Sequence, residues 1–219
     1  MNPNYYQSKN IVITAGPTYE KIDPVRFIGN YSSGKMGFAI AEKLSEQGAN
    51  VTLISGPTNL ENPHKDIQFI RVESALEMFA EVKKAFANSD IAIMAAAVAD
   101  YRPAEFSELK IKKKEDSFTL QLVKNPDILA YLGEVKKNNQ LTIGFALENF
   151  DEMENAKKKL INKNADAIVL NSLNNSGAGF QYDTNQIKII LKNGLIFEFE
   201  LKNKQLVAQD IIECIAENL

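Results

Sequence analysis

The chain has 219 residues, 45% of them hydrophobic and 24% charged, a balance that fits one globular α/β domain with a sizeable buried core and excludes disordered and fibrous classes. A formal net charge of -3 argues against the global basic footprint of a nucleic-acid binder, so any anion site must be local. A single cysteine, Cys214, and a single histidine, His64, exclude an internal disulfide, a His/Cys metal cage and a histidine-dependent triad.

Residues 1–10 carry no apolar signal core, and no stretch approaches the roughly 18 apolar residues of a membrane span. The expected setting is therefore a reducing cytoplasm. Asn10 to Ala15 is a short β-branched run that ends at Gly16-Pro17, and Ala49 to Ser55 repeats that design before Gly56-Pro57. Both read as buried parallel strands. Between them Met36, Ala39, Ile40, Ala41 and Leu44 recur at helical spacing, with Gly48 at the C-cap. The alternation continues with a strand from Gln68 to Val72, a helix from Ser74 to Ala87, and the apolar run Asp90 to Val98 as a central strand buried on both faces.

Ser117 to Val123 alternates with period two and reads as a half-exposed strand. Strands at Leu141 to Ala146 and Asp166 to Leu170 flank an amphipathic helix from about Asp151 to Lys163. Gln186 to Leu191 and Leu195 to Leu201 form a hairpin around Asn193-Gly194. Cys214 falls among Ile211, Ile212 and Ile215 and reads as a core thiol. The predicted fold is α/β: a Rossmann-like, doubly wound and mainly parallel sheet with helices on both faces and an added antiparallel hairpin.

Six of the 11 glycines lie in the first 56 residues, which loosens the backbone around the end of the first strand, where open α/β sheets place ligands. Gly29 to Met36 nearly matches a P-loop. Met36 replaces the hydroxyl residue that would hold Mg²⁺, and the first glycine follows the strand too late. Tyr31 and Lys35 imitate the catalytic pair of short-chain reductases, but no G-x-G-x-x-G follows the first strand. Ser32-Ser33-Gly34 before a helix offers hydroxyls, free N–H groups and a positive dipole end, which suits a phosphate or carboxylate or serves as an ordinary N-cap. Lys110, Lys112, Lys113 and Lys114 follow the loop after the most buried strand, and Lys159 and Lys163 lie one helical turn apart. Two positive patches in an acidic chain suit a triphosphate with its counter-ion, in an enzyme or in a non-catalytic nucleotide-binding module.

Several peptides together resemble one family. The run Thr14 to Phe38, Ala95 to Pro103, Lys110 to Lys113, Lys124 to Ile128, Gly144 to Ala146 and Gly177 to Phe180, in that order, resemble the motifs of phosphopantothenoylcysteine synthetases of the bacterial type. The match covers nearly all of the chain after residue 9. Gly29 stands where the family commonly has serine, and Gly144 to Asn149 departs from the commoner Ala-Ala-Glu-Thr ending.

The resemblance implies residues 10–219 as a single nucleotide-binding ligase domain behind an N-terminal extension of residues 1–9. It implies a ligase that activates 4'-phosphopantothenate with CTP and Mg²⁺ through an acyl-cytidylate, then joins it to L-cysteine. The implied nucleotide site is Asp100, Lys110, Asn125, Pro126, Asp127, Ile128, Phe145, Lys159 and Lys163, with Mg²⁺ held mainly by the phosphates. Asn30, Ser32, Ser33, Gly34, Gly37, Ala96 and Ala97 would surround the acid, and Asn30 and Lys110 would be catalytic. The resemblance also implies a homodimer whose site is completed across a two-fold interface, no nucleic-acid or membrane partner, and a phosphopantothenoylcysteine decarboxylase, fused or separate, as the neighbouring activity.

Overall fold

The structure, a computed structural model, describes residues 4–112, 116–172 and 182–219. Its elements are β1 (Asn10–Ala15), β2 (Tyr19–Lys21), β3 (Phe27–Gly29), α1 (Lys35–Glu46), β4 (Asn50–Ser55), β5 (Gln68–Arg71), α2 (Ala75–Phe86), β6 (Ile91–Met94), β7 (Tyr101–Pro103), β8 (Leu122–Lys124), α3 (Ile128–Val135), β9 (Leu141–Glu148), α4 (Glu152–Asn162), β10 (Ala167–Ser172), β11 (Thr184–Asn185), β12 (Ile187–Leu191), β13 (Ile196–Glu198), β14 (Lys202–Asn203) and α5 (Lys204–Asn218).

One eight-stranded sheet runs in the order β13-β12-β10-β9-β6-β1-β4-β5. The six strands from β10 to β5 are parallel, and β12 and β13 add an antiparallel edge. The chain starts in the middle, winds outward through β4 and β5, then returns to β6 on the other side of β1 and winds the opposite way. The doubly wound expectation holds, and the order reverses between β1 and β6, the place where such sheets hold ligands at their C-terminal ends. Residues of β1 alternate between two cores: Ile11, Ile13 and Ala15 pack with α1 and α5, whereas Val12 packs with α2, α3 and α4.

α2 begins with a reciprocal capping box between Ser74 and Glu77. α1 begins differently. Its N-cap is Gly34 at φ 79°, with no side chain capping the free N–H groups, a conformation that favours glycine. A Cβ on Gly37 would stand 2.6 Å from that of Ala15, so glycine there lets the first turn of α1 lie directly on β1.

The run from Asp90 to Val98 leaves the sheet after Met94. The N–H of Ala96 turns to the Thr14 hydroxyl (3.3 Å), and those of Ala95 and Ala97 go to the carbonyls of Thr14 and Gly16, so residues 95–98 form a ledge over the end of β1. Of the strand expected at Ser117 to Val123, only Leu122 and Val123 are strand, in β8, which pairs with β7 in a separate ribbon; the period-two pattern forms a ladder only where β7 lies alongside it. α3, α5 and the β2–β3 hairpin come in addition to the elements read from the pattern. The segment before β1 contributes to the core: Tyr6 is buried and its hydroxyl donates to the carbonyl of Ile212 in α5 (2.6 Å). Among the described residues no helix is long and apolar enough to cross a membrane.

Candidate active site at the strand-order reversal

Two clefts open at the C-terminal ends of β1 and β6. One, about 460 Å³, is lined by Asp100, the turn Asn125 to Ile128, Phe145 and Lys159, with Thr14 and Met94 at its floor. The other, about 340 Å³, is lined by Asn30, Ser32, Ser33, Gly34, Gly37, Ala96 and Ala97, with Lys204 and Asn171 on its far wall. Ala96, Val98, Asp100, Phe145 and Lys159 line both. The two compartments therefore adjoin, and Lys159 is one of the residues common to both.

Lys159 reaches them from α4, where its Nζ donates to the carbonyl of Phe145 in β9 (2.8 Å). Burial pushes its pKa down, partly offset by the charge of Asp127. A half-desolvated cation with donors to spare is a strong partner for an anion. Lys163 lies outside both clefts and pairs with Asp127 (2.7 Å). Asp127 is also the N-cap of α3, accepting from the N–H of Ala130 (2.9 Å). Burial would raise the Asp127 pKa, but its bonds to Lys163 and Ala130 and the charge of Lys159 hold it below the ordinary value.

Asn125 is a strut. Its amide donates to the carbonyl of Ala99 (2.8 Å), its side-chain oxygen accepts from Arg102 (3.1 Å), and its N–H donates to the carbonyl of Asp100 (2.8 Å). These bonds hold the loop bearing Asp100 against the turn Asn125 to Ile128. In the second compartment the amide of Asn30 donates to the carbonyl of Ala97 (2.9 Å), which leaves its second N–H as a donor at the mouth. The unsatisfied N–H groups at the start of α1 line the same wall, a setting that favours an anion.

Lys110 is exposed and lies outside both clefts of its own chain. Lys113, Lys114 and the run Gly177 to Phe180 lie outside the described residues. Sequence reasoning passed over Asn171 and Lys204. Asn171 continues the apolar β10 run by one residue, and its buried Oδ1 has no hydrogen-bond partner among the described residues. A polar residue ending a buried parallel strand was the available signal. Lys204 is 7% exposed, donates to the carbonyl of Tyr182 (2.6 Å), and is held below its ordinary pKa by burial and by the charge of Lys35. Nothing in its local pattern marks it. Among the described residues no three His, Cys, Asp or Glu side chains gather into a metal site.

A family model described as DNA/pantothenate metabolism flavoprotein C-terminal domain matches residues 6–219. The chain belongs to that family. The crystal structure of the C-terminal domain of a Coenzyme A biosynthesis bifunctional protein CoaBC superimposes with a TM-score of 0.83 at 43% identity, covering 98% of this chain and 97% of that one. Among curated relatives, the bifunctional protein CoaBC of Haemophilus influenzae is 46% identical over 96% of this chain and 52% of its own length. A cysteine/cysteine sulfinic acid decarboxylase of an unknown prokaryotic organism is 52% identical over 94% of this chain and 58% of its own. The chain spans about half the length of the curated relatives it matches.

Proposed function

We propose that this chain joins 4'-phosphopantothenate to L-cysteine in coenzyme A biosynthesis, with CTP converted to CMP and pyrophosphate. The observation that carries this reading is the pair of adjoining clefts, one rimmed by Asp100, Asn125 to Ile128 and Lys159, the other walled by Asn30 and the free end of α1, with Asp100, Phe145 and Lys159 common to both. The family membership and the near-complete match to a coenzyme A biosynthesis domain support it.

CTP occupies the first compartment, its Mg²⁺ carried mainly by the phosphates with Asp100 alongside. The acid lies in the second, its carboxylate directed at the α-phosphate across Lys159. Attack on phosphorus releases pyrophosphate and leaves an acyl-cytidylate. The cysteine amine then attacks the acyl carbon, Asn30 donates to the oxygen that gains charge, and CMP leaves. Lys110 completes the nucleotide site from a second copy. Val25 and Phe27 on the β2–β3 hairpin, Tyr31 just after it, and Phe106, Leu109 and Phe118 are large exposed apolar residues, of the kind suited to a homodimer interface. The enzyme works in the cytoplasm beside a phosphopantothenoylcysteine decarboxylase, fused or separate.

The test mixes the protein with 4'-phosphopantothenate, cysteine, Mg²⁺ and CTP or ATP. Pyrophosphate release that requires the acid, with CTP preferred, is expected. Decarboxylation of cysteine without any nucleotide, the activity named for one relative, would overturn the reading.

A further inference from the structure

Asp23 sits in the turn between β2 and β3 and is 1% exposed. Its Oδ1 accepts from the N–H groups of Val25 and Arg26 (both 2.9 Å), the bonds of an ordinary Asp-initiated turn. Its Oδ2 has a different use. It accepts from Arg26 Nε (3.0 Å) and Nη2, and from the N–H of Ile111 (3.1 Å), 88 residues away. Arg26 Nη2 also donates to the Ile111 carbonyl (3.0 Å), so both backbone groups of Ile111 are tied to one ion pair. A second tie runs from the Ser107 N–H to the carbonyl of Ile22 (3.1 Å). On either side of Ile111, Lys110 and Lys112 are exposed. At the other end of the hairpin, β3 delivers Asn30 to the second cleft.

An asparagine at position 23 would satisfy the turn through Oδ1. Only a carboxylate offers a second oxygen that accepts from a guanidinium and a remote N–H together, since an amide would turn its NH₂ toward those donors. The guanidinium beside Asp23 holds its carboxyl well below the usual carboxylate range, its burial notwithstanding. The chemistry at this position therefore exceeds what the turn requires.

We propose that Asp23 is a positioning residue, which through Arg26 and the backbone of Ile111 locks the lysine-bearing segment to the hairpin that presents Asn30. This rests on the ligase reading for its catalytic consequence, but the mechanical lock does not. The experiment compares the full chain with Asp23→Asn by native-state trypsin digestion mapped by mass spectrometry, and by steady-state pyrophosphate release. Cleavage after Lys110 and Lys112 is expected to quicken by about tenfold while sites in the core elements stay protected. In parallel kcat should fall about tenfold or more, with the KM for 4'-phosphopantothenate changing far less. If Asp23→Asn does not fold, Arg26→Lys, which keeps the cation and loses its fork, carries the same expectations. Unchanged cleavage at the two lysines overturns the lock. Faster cleavage spread over the whole chain, or faster local cleavage with unchanged kcat, overturns the positioning role. Failure of the unaltered protein to release pyrophosphate would refute the ligase reading, and the digestion pattern would still decide the lock.

Discussion

Asn30→Asp separates the hydrogen bond that Asn30 makes in the fold from the catalytic role proposed for the same side chain. The Asn30 amide donates to the carbonyl of Ala97, and the ledge formed by residues 95–98 is anchored independently through Thr14 and Gly16. Loss of that single exposed bond costs about 0.5–1.5 kcal/mol, and at about 2–4 °C per kcal/mol for a domain of this size the melting temperature should drop only slightly. The catalytic loss is of another order. Removing one donor to a developing acyl oxyanion typically costs about 10²- to 10³-fold, roughly 3 to 4 kcal/mol, and a carboxylate adds repulsion. That charge appears only when the cysteine amine attacks. The first half-reaction places its charge on phosphorus oxygens and should depend on Asn30 far less. Quenched reactions read by mass spectrometry should therefore show pyrophosphate released, acyl-cytidylate retained on the protein, and almost no amide product. An equal fall in both half-reactions with no trapped intermediate would make Asn30 a binding or structural residue and refute the argument.

Lys159→Met should lower kcat/KM for the nucleotide by about 10²-fold yet melt at or above the temperature of the unaltered protein, because a charge penalised by burial is gone. Its pH dependence follows in sign: the folded pKa lies below the unfolded value near 10.4, so across that alkaline window the unfolded chain binds the extra proton and stability rises with pH. Denaturant titrations at several pH values should show that contribution missing in Lys159→Met. Gly37→Ala should push the start of α1 away from Ala15, costing about 1–3 kcal/mol and weakening the acid measurably in calorimetry. Leu109→Glu, at an 80% exposed position, should shift the sedimentation mass toward 24.4 kDa if the apolar surface pairs two copies; an unchanged dimer would place the interface elsewhere.

How far the sequence could be read depended on the range of the interaction involved. The parallel strands at β1, β4 and β10 were legible because strands buried on both faces need continuous apolar runs, as in Ile11 to Ile13 and Ala167 to Leu170. α5 escaped because Gln205, Gln209 and Asp210 interrupt a seam whose buried side is defined by α1 and by Tyr6 from the far end of the chain. α3 was hidden for a related reason: its N-cap, Asp127, reads locally as part of a ligand turn, and its partner Lys163 comes from another element.

The candidate site divides along the same line. Asn30, Asp100, Phe145 and Lys159 were named from motifs, but that the two clefts share Asp100, Phe145 and Lys159 is a property of strand order. Asn171, Lys204 and the reach of Asp23 to Ile111 depend on contacts between residues far apart in the chain. Backbone periodicity, turn residues and caps act within a few positions, so the chain carries them openly. Which remote groups share a buried bond is settled only when packing excludes water from both, and that exclusion belongs to the assembled fold.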